Sequence, residues 1–226
     1  MDGLWVLLLL IFIAALPVVP VYVWFRVRQF PIPPVWFLLS LLAGAFSLLI
    51  AALIQGFFSM VLNTRGSLLF NIFIRIALTE ETGRLLMLCF LFWLETRIRN
   101  MAFHVPAYDA PSLGPAAFGV ATGLLTGLGF AIIESASYGA VDISIALLRA
   151  FTAAPLHGAC GARVGYGVII FKHAPYRGLW RFLSAVAIHG MYNLMVINPG
   201  IPPFLPVLIA LSALASSTRL LSKSRQ

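Results

Sequence analysis

The sequence is poor in charged residues and in cysteine. Only 10% of its 226 residues are charged, seven of them acidic, and the mean hydropathy is +0.99. Soluble domains of ordinary composition are far less apolar, so this composition excludes that class and indicates an integral membrane protein. The two cysteines, Cys89 and Cys160, both lie inside apolar segments. Neither a disulfide framework nor a thiolate metal site is therefore indicated.

The sequence also lacks the features of a cleaved secretory signal and of a nucleic-acid-binding surface. Its first apolar run follows the acidic Asp2 and is too long for a signal core, so we expect it to remain as a membrane span. A net charge of +8 indicates nucleic acid only where basic residues form a patch on a water-facing surface. We expect the lipid bilayer as a partner, and no nucleic acid.

What the sequence does contain is a series of long apolar runs. A helix crosses roughly 30 Å of hydrocarbon with about 20 residues, so the chain can supply about seven crossings. Breaks at Pro, Gly and charged residues predict an all-α, polytopic helix bundle that forms one transmembrane domain over residues 1–226. Its predicted spans are 3–25, 35–62, 68–96, 115–137, 143–171, 179–197 and 201–221.

The basic residues predict the orientation of this bundle. Only Arg65 falls in the second, fourth and sixth connections. Because basic residues accumulate on the cytoplasmic side, we predict an outside N-terminus and a cytoplasmic C-terminus in a multi-pass protein of a bacterial inner or plasma membrane. The remaining connections and the C-terminal tail contain ten: Arg26, Arg28, Arg97, Arg99, Lys172, Arg177, Arg181, Arg219, Lys223 and Arg225.

Several ionisable or strongly polar side chains lie inside the predicted spans. Such groups are rare, usually face the bundle interior or a water-filled cavity, and indicate a functional site. The set comprises Arg75, Glu80, Glu81, Arg84, Glu134, Arg149, His157, Arg163, His189 and Asn193.

The segment TEETGR places two carboxylates and an arginine within the third span. Glu80 and Arg84 are four residues apart and share a helix face, whereas Glu81 is turned by about 100°. Two adjacent carboxylates at low dielectric do not both ionise readily, so one is expected to hold or exchange a proton near neutral pH. The alternative is a structural ion-pair cluster that holds helices together.

Glu134 lies near the predicted outer end of the fourth span. It follows Gly119, Gly123 and Gly127, whose four-residue spacing forms a small-residue stripe that allows close approach of another helix. The alternative for Glu134 is a side chain that extends to the outer interface.

The fifth and sixth spans supply two histidines. Arg149 and His157 lie about two turns apart, and Pro155 frees a backbone carbonyl, so that a kink can open a polar pocket beside His157. His189 and Asn193 are four residues apart on one face and can together hold a carbonyl oxygen or a water. For each histidine the alternative is a hydrogen bond between helices.

Depth along the predicted helices tests whether these groups can meet. At about 1.5 Å per residue, Glu80, Glu81 and His157 lie about 18–22 Å from the outer side, His189 about 13 Å, and Asn193 and Glu134 about 6–8 Å. This spread makes Glu134 the least secure member of a single cluster.

Together, EETGR (80–84), GFAIIE (129–134), Arg149 with His157, and HGMYN (189–193) resemble, in order and spacing, the motifs of the PrsW family of bacterial membrane proteases. That family belongs to the glutamic intramembrane protease superfamily, with the CAAX-prenyl proteases. The resemblance covers residues 70–197 and implies a catalytic core at about 68–197.

The resemblance also implies roles for individual residues. Glu80 and Glu81 match the paired-glutamate motif, with Arg84 where PrsW proteins commonly have lysine. The remaining motifs are matched by Glu134, by His157, and by His189 with Asn193. The implied substrate is a membrane protein, such as a single-span anti-sigma factor, cut on the extracytoplasmic side. The fifth and sixth spans also resemble the seven-span scaffold subunit of gamma-secretase, which lacks the paired glutamates.

These observations favour a glutamic intramembrane protease without a cofactor. Glu80 or Glu81 is expected to activate a water, and His189 with Asn193 to stabilise the oxyanion. His157 is expected to position the water or to protonate the leaving amine, Glu134 to orient a histidine, and Arg84 and Arg149 to support the acidic groups.

Three alternatives remain open. A zinc protease has plausible ligands in Glu81, Glu134, His157 and His189, although the HExxH spacing is absent. A proton-coupled transporter or channel also uses buried Glu, His and Arg, but no repeated halves are evident. A non-catalytic scaffold is the third.

Overall fold

The computed structural model describes residues 3–30, 32–58, 64–102 and 113–223, and every regular element within them is helical. The end of the predicted second span, together with Asp2 and Arg225, lies outside these residues. The elements are α1 (Gly3–Ala15), α2 (Val18–Val27), α3 (Pro34–Gln55), α4 (Arg65–Phe70), a π-helical segment (Asn71–Leu78), α5 (Thr79–Ala102), α6 (Pro115–Gly139), α7 (Ile143–Phe171), α8 (Pro175–Ile197) and α9 (Phe204–Lys223).

Seven helical rods result within the described part of the chain. α1 and α2 follow one another across a turn at Leu16 and Pro17, and α4, the π-helical segment and α5 continue without a break. Five rods are long and apolar enough to cross a membrane: Gly3–Val27, Pro34–Gln55, Pro115–Gly139, Ile143–Phe171 and Phe204–Lys223. The prediction of an all-α multi-pass membrane bundle is confirmed. The other two rods contain the paired glutamates and His189.

α6 is the central helix, with α3 and α7 packed against it. Gly119, Gly123 and Gly127 face the backbone of α7, where an added Cβ would overlap backbone atoms. At Gly119, for example, the Cβ would lie 2.8 Å from the carbonyl oxygen of Gly165. The predicted small-residue stripe is confirmed, and it brings the backbone of His157 directly against α6.

α7 is capped at its start and continues through a proline. The N–H and the hydroxyl of Ser144 both donate to the Asp142 carboxylate across 2.8 Å, and they keep the pKa of Asp142 below its usual value. The helix then continues through Pro155 to Phe171. A cavity of about 580 Å³ lies beside Pro155, but its lining is mainly apolar. The space at this proline is therefore hydrophobic, and the polar pocket expected beside His157 stays a prediction.

Two of the intramembrane arginines hold helices together. The buried Arg163 on α7 donates to the carbonyl of Ala213 across 3.1 Å and to the hydroxyl of Ser217 across 2.7 Å, which ties α7 to α9. Arg75, in the π-helical segment, donates to the carbonyl of Phe58 across 3.1 Å. These contacts satisfy guanidinium groups that would otherwise be costly within a membrane.

Candidate active site

Four helices contribute to one cluster of ionisable side chains, which we call the polar cluster. α5 supplies Glu80, Glu81 and Arg84 from its first two turns, directly after the π-helical segment, and α8 supplies His189. Glu134 comes from α6, and Arg149 and His157 come from α7. The groups form one continuous series of contacts between the seven side chains.

Arg84 lies at the centre of the polar cluster and is fully buried. Its Nη1 pairs with Oε1 of Glu81, and its Nη2 lies 2.8 Å from Nδ1 of His157 and 3.9 Å from Oε2 of Glu80. The guanidinium also lies over the ring of Phe130, with Cζ 4.3 Å from the ring centroid. A single cation thus contacts both glutamates and a histidine from another helix.

The contacts of His157 define its tautomer. A guanidinium only donates hydrogen bonds, so Nδ1 of His157 must accept from Arg84. Its Nε2 lies 2.8 Å from Oε2 of Glu134 and therefore carries the hydrogen that it donates to this carboxylate. Nη2 of Arg149 pairs with the same carboxylate oxygen. Both ring nitrogens of His157 are thus occupied.

His189 connects the two glutamates. Its Nδ1 lies 2.9 Å from Oε1 of Glu81, and its Nε2 lies 3.5 Å from Oε2 of Glu80. Its ring meets that of His157 edge to face, with the centroids 4.9 Å apart and the planes at 88°. Glu81 accepts from Arg84 and from His189 through one oxygen, whereas Glu80 contacts both partners only at longer range.

Two carboxylate oxygens of the cluster are buried without a hydrogen-bond partner among the residues that the structure describes. They are Oε2 of Glu80 and Oε2 of Glu81. Buried carboxylate oxygens are strong acceptors whose unmet hydrogen bonds are costly, so these two positions favour a bound water or a substrate N–H. Oε2 of Glu80 is also the one that faces Nε2 of His189.

The cluster is closed except along one edge. His157 and His189 expose 2% and 1% of their surface, whereas the side chains of Glu134 and Arg149 expose 16% and 17%. The Arg149 guanidinium also lies over the ring of Tyr138, with Cζ 4.2 Å from its centroid. The Glu134–Arg149 pair therefore forms the accessible edge of the site, on the side predicted to face outward.

The structure brings together seven of the eight residues that were given a catalytic or supporting role from the sequence. Glu134 pairs with Arg149 and His157 instead of extending to the interface. Glu80, Glu81 and Arg84 do form an ion-pair cluster, but it continues into α7 and α8. Asn193 is half-buried one turn beyond His189, and no hydrogen bond described here joins it to the cluster. Its role at an oxyanion stays a prediction.

The depth estimate separated groups that the structure joins, and side-chain direction explains why. Cα–Cβ bonds tilt toward the N-terminus of their helix. In the predicted orientation α5 and α7 descend from the outer side, so Glu80 and His157 reach outward. α6 and α8 ascend, so Glu134 and His189 reach inward. The four side chains therefore converge at one level.

Three contributing residues were missed from the sequence. The ring of Phe130 packs on His157 with the centroids 4.9 Å apart and also lies under Arg84. The sequence feature that could have identified Phe130 is its position in GFAIIE, one helical turn before Glu134. The hydroxyl of Tyr192 donates to that of Thr152 across 3.1 Å and ties α8 to α7 beside the cluster. Tyr192 could have been identified because it belongs to HGMYN, whereas no sequence feature pointed to Thr152.

Glu80, His157 and His189 are the candidate ligands for a metal ion. One ligand atom from each lies within 4.8 Å of the others, and a carboxylate with two imidazoles suits zinc. However, both nitrogens of His157 are engaged, and Nδ1 of His189 faces Glu81. Of these three candidate ligands, only Nε2 of His189 and the Glu80 carboxylate keep available lone pairs, whereas catalytic zinc takes three protein ligands. In this hydrogen-bonded arrangement the three residues do not fit a metal.

Comparison with known proteins supports an assignment to a family. A model described as "PrsW family intramembrane metalloprotease" matches residues 32–216, which include every member of the polar cluster. Searches among curated proteins and among solved structures gave no significant match. Because the matched segment covers most of the 226 residues, the chain belongs to the PrsW family of intramembrane proteases.

Proposed function

We propose that this membrane protease hydrolyses its substrate with a water activated by Glu80, and that it uses no metal. The observation that carries the proposal is the position of Glu80 Oε2, buried without a hydrogen-bond partner among the described residues and 3.5 Å from Nε2 of His189. A water that contacts both atoms would have a base and a second polar partner within hydrogen-bond reach.

Charge balance within the cluster supports a shared proton at this position. Three carboxylates and two guanidiniums leave one negative charge, and an unbalanced charge is costly inside a membrane. One additional proton on the pair formed by Glu80 and His189 makes the cluster neutral. The proton resides on His189 when Glu80 acts as the base.

The hydrolytic step follows from these positions. Glu80 takes a proton from the water as the water oxygen bonds to the scissile carbonyl carbon. The carbonyl oxygen becomes an oxyanion that accepts hydrogen bonds from Nε2 of His189 and from Asn193. The carbon–nitrogen bond then breaks, and Glu80 returns its proton to the leaving amine. The products are a free carboxyl group and an amine, and Glu80 is an ionised base again.

The other members of the cluster act as positioning residues. Glu81 holds His189 through Nδ1, and Arg84 neutralises Glu81 while it donates to His157. Because both nitrogens of His157 are occupied, we assign it to holding Arg84, and not to protonating the leaving amine. Glu134 fixes the tautomer of His157, and Arg149 balances the charge of Glu134.

The substrate proposed is a membrane-protein segment cut on the extracytoplasmic side. The partly exposed Glu134–Arg149 pair offers the access route, and the distribution of basic residues predicts that this edge faces outward. A single-span anti-sigma factor is the candidate that the family resemblance suggests. Entry of a peptide requires this edge to open, because the two histidines are almost fully buried.

A zinc-dependent mechanism is the second candidate. The description of the family supports it, and so does the proximity of Glu80, His157 and His189. Against it stand the occupied nitrogens of His157 and the guanidinium of Arg84, 3.9 Å from the Glu80 carboxylate, where it would repel a dication. No step is assigned to a metal here.

The experiment that tests the proposal maps cleavage by the purified full chain. The protein is reconstituted in liposomes with a panel of single-span membrane proteins, and fragments are identified by mass spectrometry. We expect a cut near the outer boundary that Glu80→Gln abolishes and that Glu95→Gln preserves, because Glu95 pairs with Arg99 in a later turn of α5. Substrate binding without any cleavage would instead indicate a scaffold, and proton flux driven by a substrate would indicate a transporter.

A further inference from the structure

The ends of α2 and α9 enclose a basic recess on the side predicted to be cytoplasmic. The recess has a volume of about 530 Å³, and the charged residues that line it within the described part of the chain are all basic, namely Arg28, Arg219 and Lys223. Trp24 and Thr218 also line it. Arg219 and Lys223 are exposed, so their cationic groups face the region of the lipid headgroups.

An apolar cavity adjoins this basic recess. The cavity is the one of about 580 Å³ beside Pro155, and Trp24 and Thr218 line both spaces. The two shared residues place the spaces side by side, with the cationic recess at one end and the apolar cavity at the other. The apolar cavity is lined mainly by hydrophobic side chains from several rods, including Leu16, Val21, Leu124, Phe151 and Leu214.

We propose that the recess and the cavity form one site that binds an anionic phospholipid of the cytoplasmic leaflet. The phosphate lies between Arg219 and Lys223 in the recess, and one acyl chain fills the apolar cavity. Guanidinium and ammonium groups are strong phosphate partners, and basic residues beside a membrane span attract anionic lipids. The half-buried Trp24 lines both the basic recess and the apolar cavity, and tryptophan is typical of the boundary between polar and apolar regions of a membrane. A soluble anion would leave the apolar cavity unfilled, and a neutral lipid would offer no net negative charge to Arg219 and Lys223.

The acyl chain also reaches the helix that carries part of the polar cluster. Pro155 and Gly158 line the cavity, and they stand on either side of His157 in α7. A ligand that binds only the folded chain stabilises it, so occupancy of this site supports α7 beside the cluster. Lipid binding itself does not depend on the proposed hydrolysis.

Lipid-dependent thermal stability of the detergent-purified full chain tests the proposal, with native mass spectrometry to count bound molecules. Phosphatidylglycerol and phosphatidylcholine with identical acyl chains are compared with glycerophosphoglycerol, which has the headgroup without the chains. We expect one retained phosphatidylglycerol and a rise of roughly 5–10 °C in apparent Tm at a lipid concentration one hundred times Kd. We expect much smaller shifts from the other two compounds.

Two sets of variants locate the binding site. Arg219→Gln with Lys223→Gln should weaken phosphatidylglycerol binding about fivefold for each lost charge. The control, Lys172→Gln with Arg177→Gln, removes two charges from the same predicted side but outside the site, and should leave binding unchanged. Leu214→Trp should fill the apolar cavity and reduce the lipid-induced Tm shift.

Several results would overturn the proposal. A Tm shift from phosphatidylcholine equal to that from phosphatidylglycerol would show that the basic residues do not select the lipid. An equal shift from glycerophosphoglycerol would show that the site binds the phosphate group alone. Equal weakening by the test and control pairs would show general surface attraction. A co-purified peptide, found in place of lipid and lost in the Leu214→Trp variant, would replace the lipid as occupant.

Discussion

The guanidinium of Arg84 on α5 donates to Nδ1 of His157 on α7 across 2.8 Å. This bond joins the paired glutamates to the Glu134–Arg149 pair and makes one hydrogen-bonded series out of groups from four helices. It also explains how a bilayer tolerates these charges, since each cation has an acidic partner within the bundle. The same bond occupies a nitrogen that a metal ion would need.

Two replacements of Arg84 should distinguish the contribution of its positive charge from that of its planar guanidinium group. Arg84→Lys keeps a cation for Glu81 but offers no planar fork to reach His157 at the same time. Arg84→Met leaves the buried Glu81 without its main ion partner, at a cost of about 3–5 kcal/mol. We expect cleavage rate and apparent Tm to fall in the order wild type, lysine variant, methionine variant. Equal rates for wild type and the methionine variant would contradict a positioning role for Arg84.

Glu134→Gln should slow catalysis without weakening substrate binding. The amide removes the negative charge with which Arg149 pairs. It also weakens the hydrogen bond that Nε2 of His157 donates to Glu134, which fixes the tautomer of His157. We expect kcat to fall by about tenfold or more and KM to change little, because the residue acts through His157. Steady-state cleavage of the mapped substrate checks this, with Arg149→Lys expected to retain more activity than Arg149→Gln. A rise in KM alone would assign Glu134 to substrate binding instead.

The polar cluster was largely visible in the sequence, because the spacing of ionisable residues on single helices survives folding. The shared faces of Glu80 with Arg84 and of His189 with Asn193 follow from helical periodicity alone. Periodicity did not predict that Arg84 pairs more closely with Glu81 than with Glu80. Periodicity does not predict which helices contact one another. The depth estimate from residue numbers placed Glu134 too far from His157. Side-chain direction and helix packing, which the depth estimate ignored, bring these two residues into contact.

Backbone irregularities were the features that the sequence did not reveal. The π-helical segment Asn71–Leu78 has an ordinary apolar sequence, yet its wider turns change the rotation and rise that lead into Glu80. The first predicted span is divided by a turn at Leu16 and Pro17, because proline cannot continue the hydrogen bonding of α1. The turn thus has a local cause that the span assignment overlooked, whereas the π-helical segment has no such signal in its sequence.

Gly127→Leu should destabilise the protein by separating α6 from α7. A Cβ at Gly127 would lie 2.8 Å from Cα of Gly158 and closer still to the His157 carbonyl. Overpacking of this kind costs typically about 1–3 kcal/mol, so a clear fall in apparent Tm is expected for the detergent-purified chain. The control is Gly114→Ala, where an added Cβ has no neighbour within 4 Å among the described residues. Equal Tm for Gly127→Leu and wild type would contradict the observed packing.

Metal analysis should separate the two catalytic hypotheses. If Arg84 and Glu134 hold His157 as described, the purified protein should contain far less than one zinc per chain by plasma mass spectrometry. Cleavage should also persist after treatment with a strong chelator. Stoichiometric zinc, loss of cleavage on chelation and recovery on adding zinc back would establish the metal mechanism, with the Arg84–His157 bond displaced in the active state.

The most direct measurement is the single-turnover cleavage rate of Glu80→Gln on the mapped substrate, compared with wild type and with Glu95→Gln at equal apparent Tm. Loss of the base that activates water should lower the rate by about 10²–10⁴-fold in Glu80→Gln, with substrate affinity retained and Glu95→Gln close to wild type. A folded Glu80→Gln variant that cleaves within about twofold of wild type would show that Glu80 is not the base.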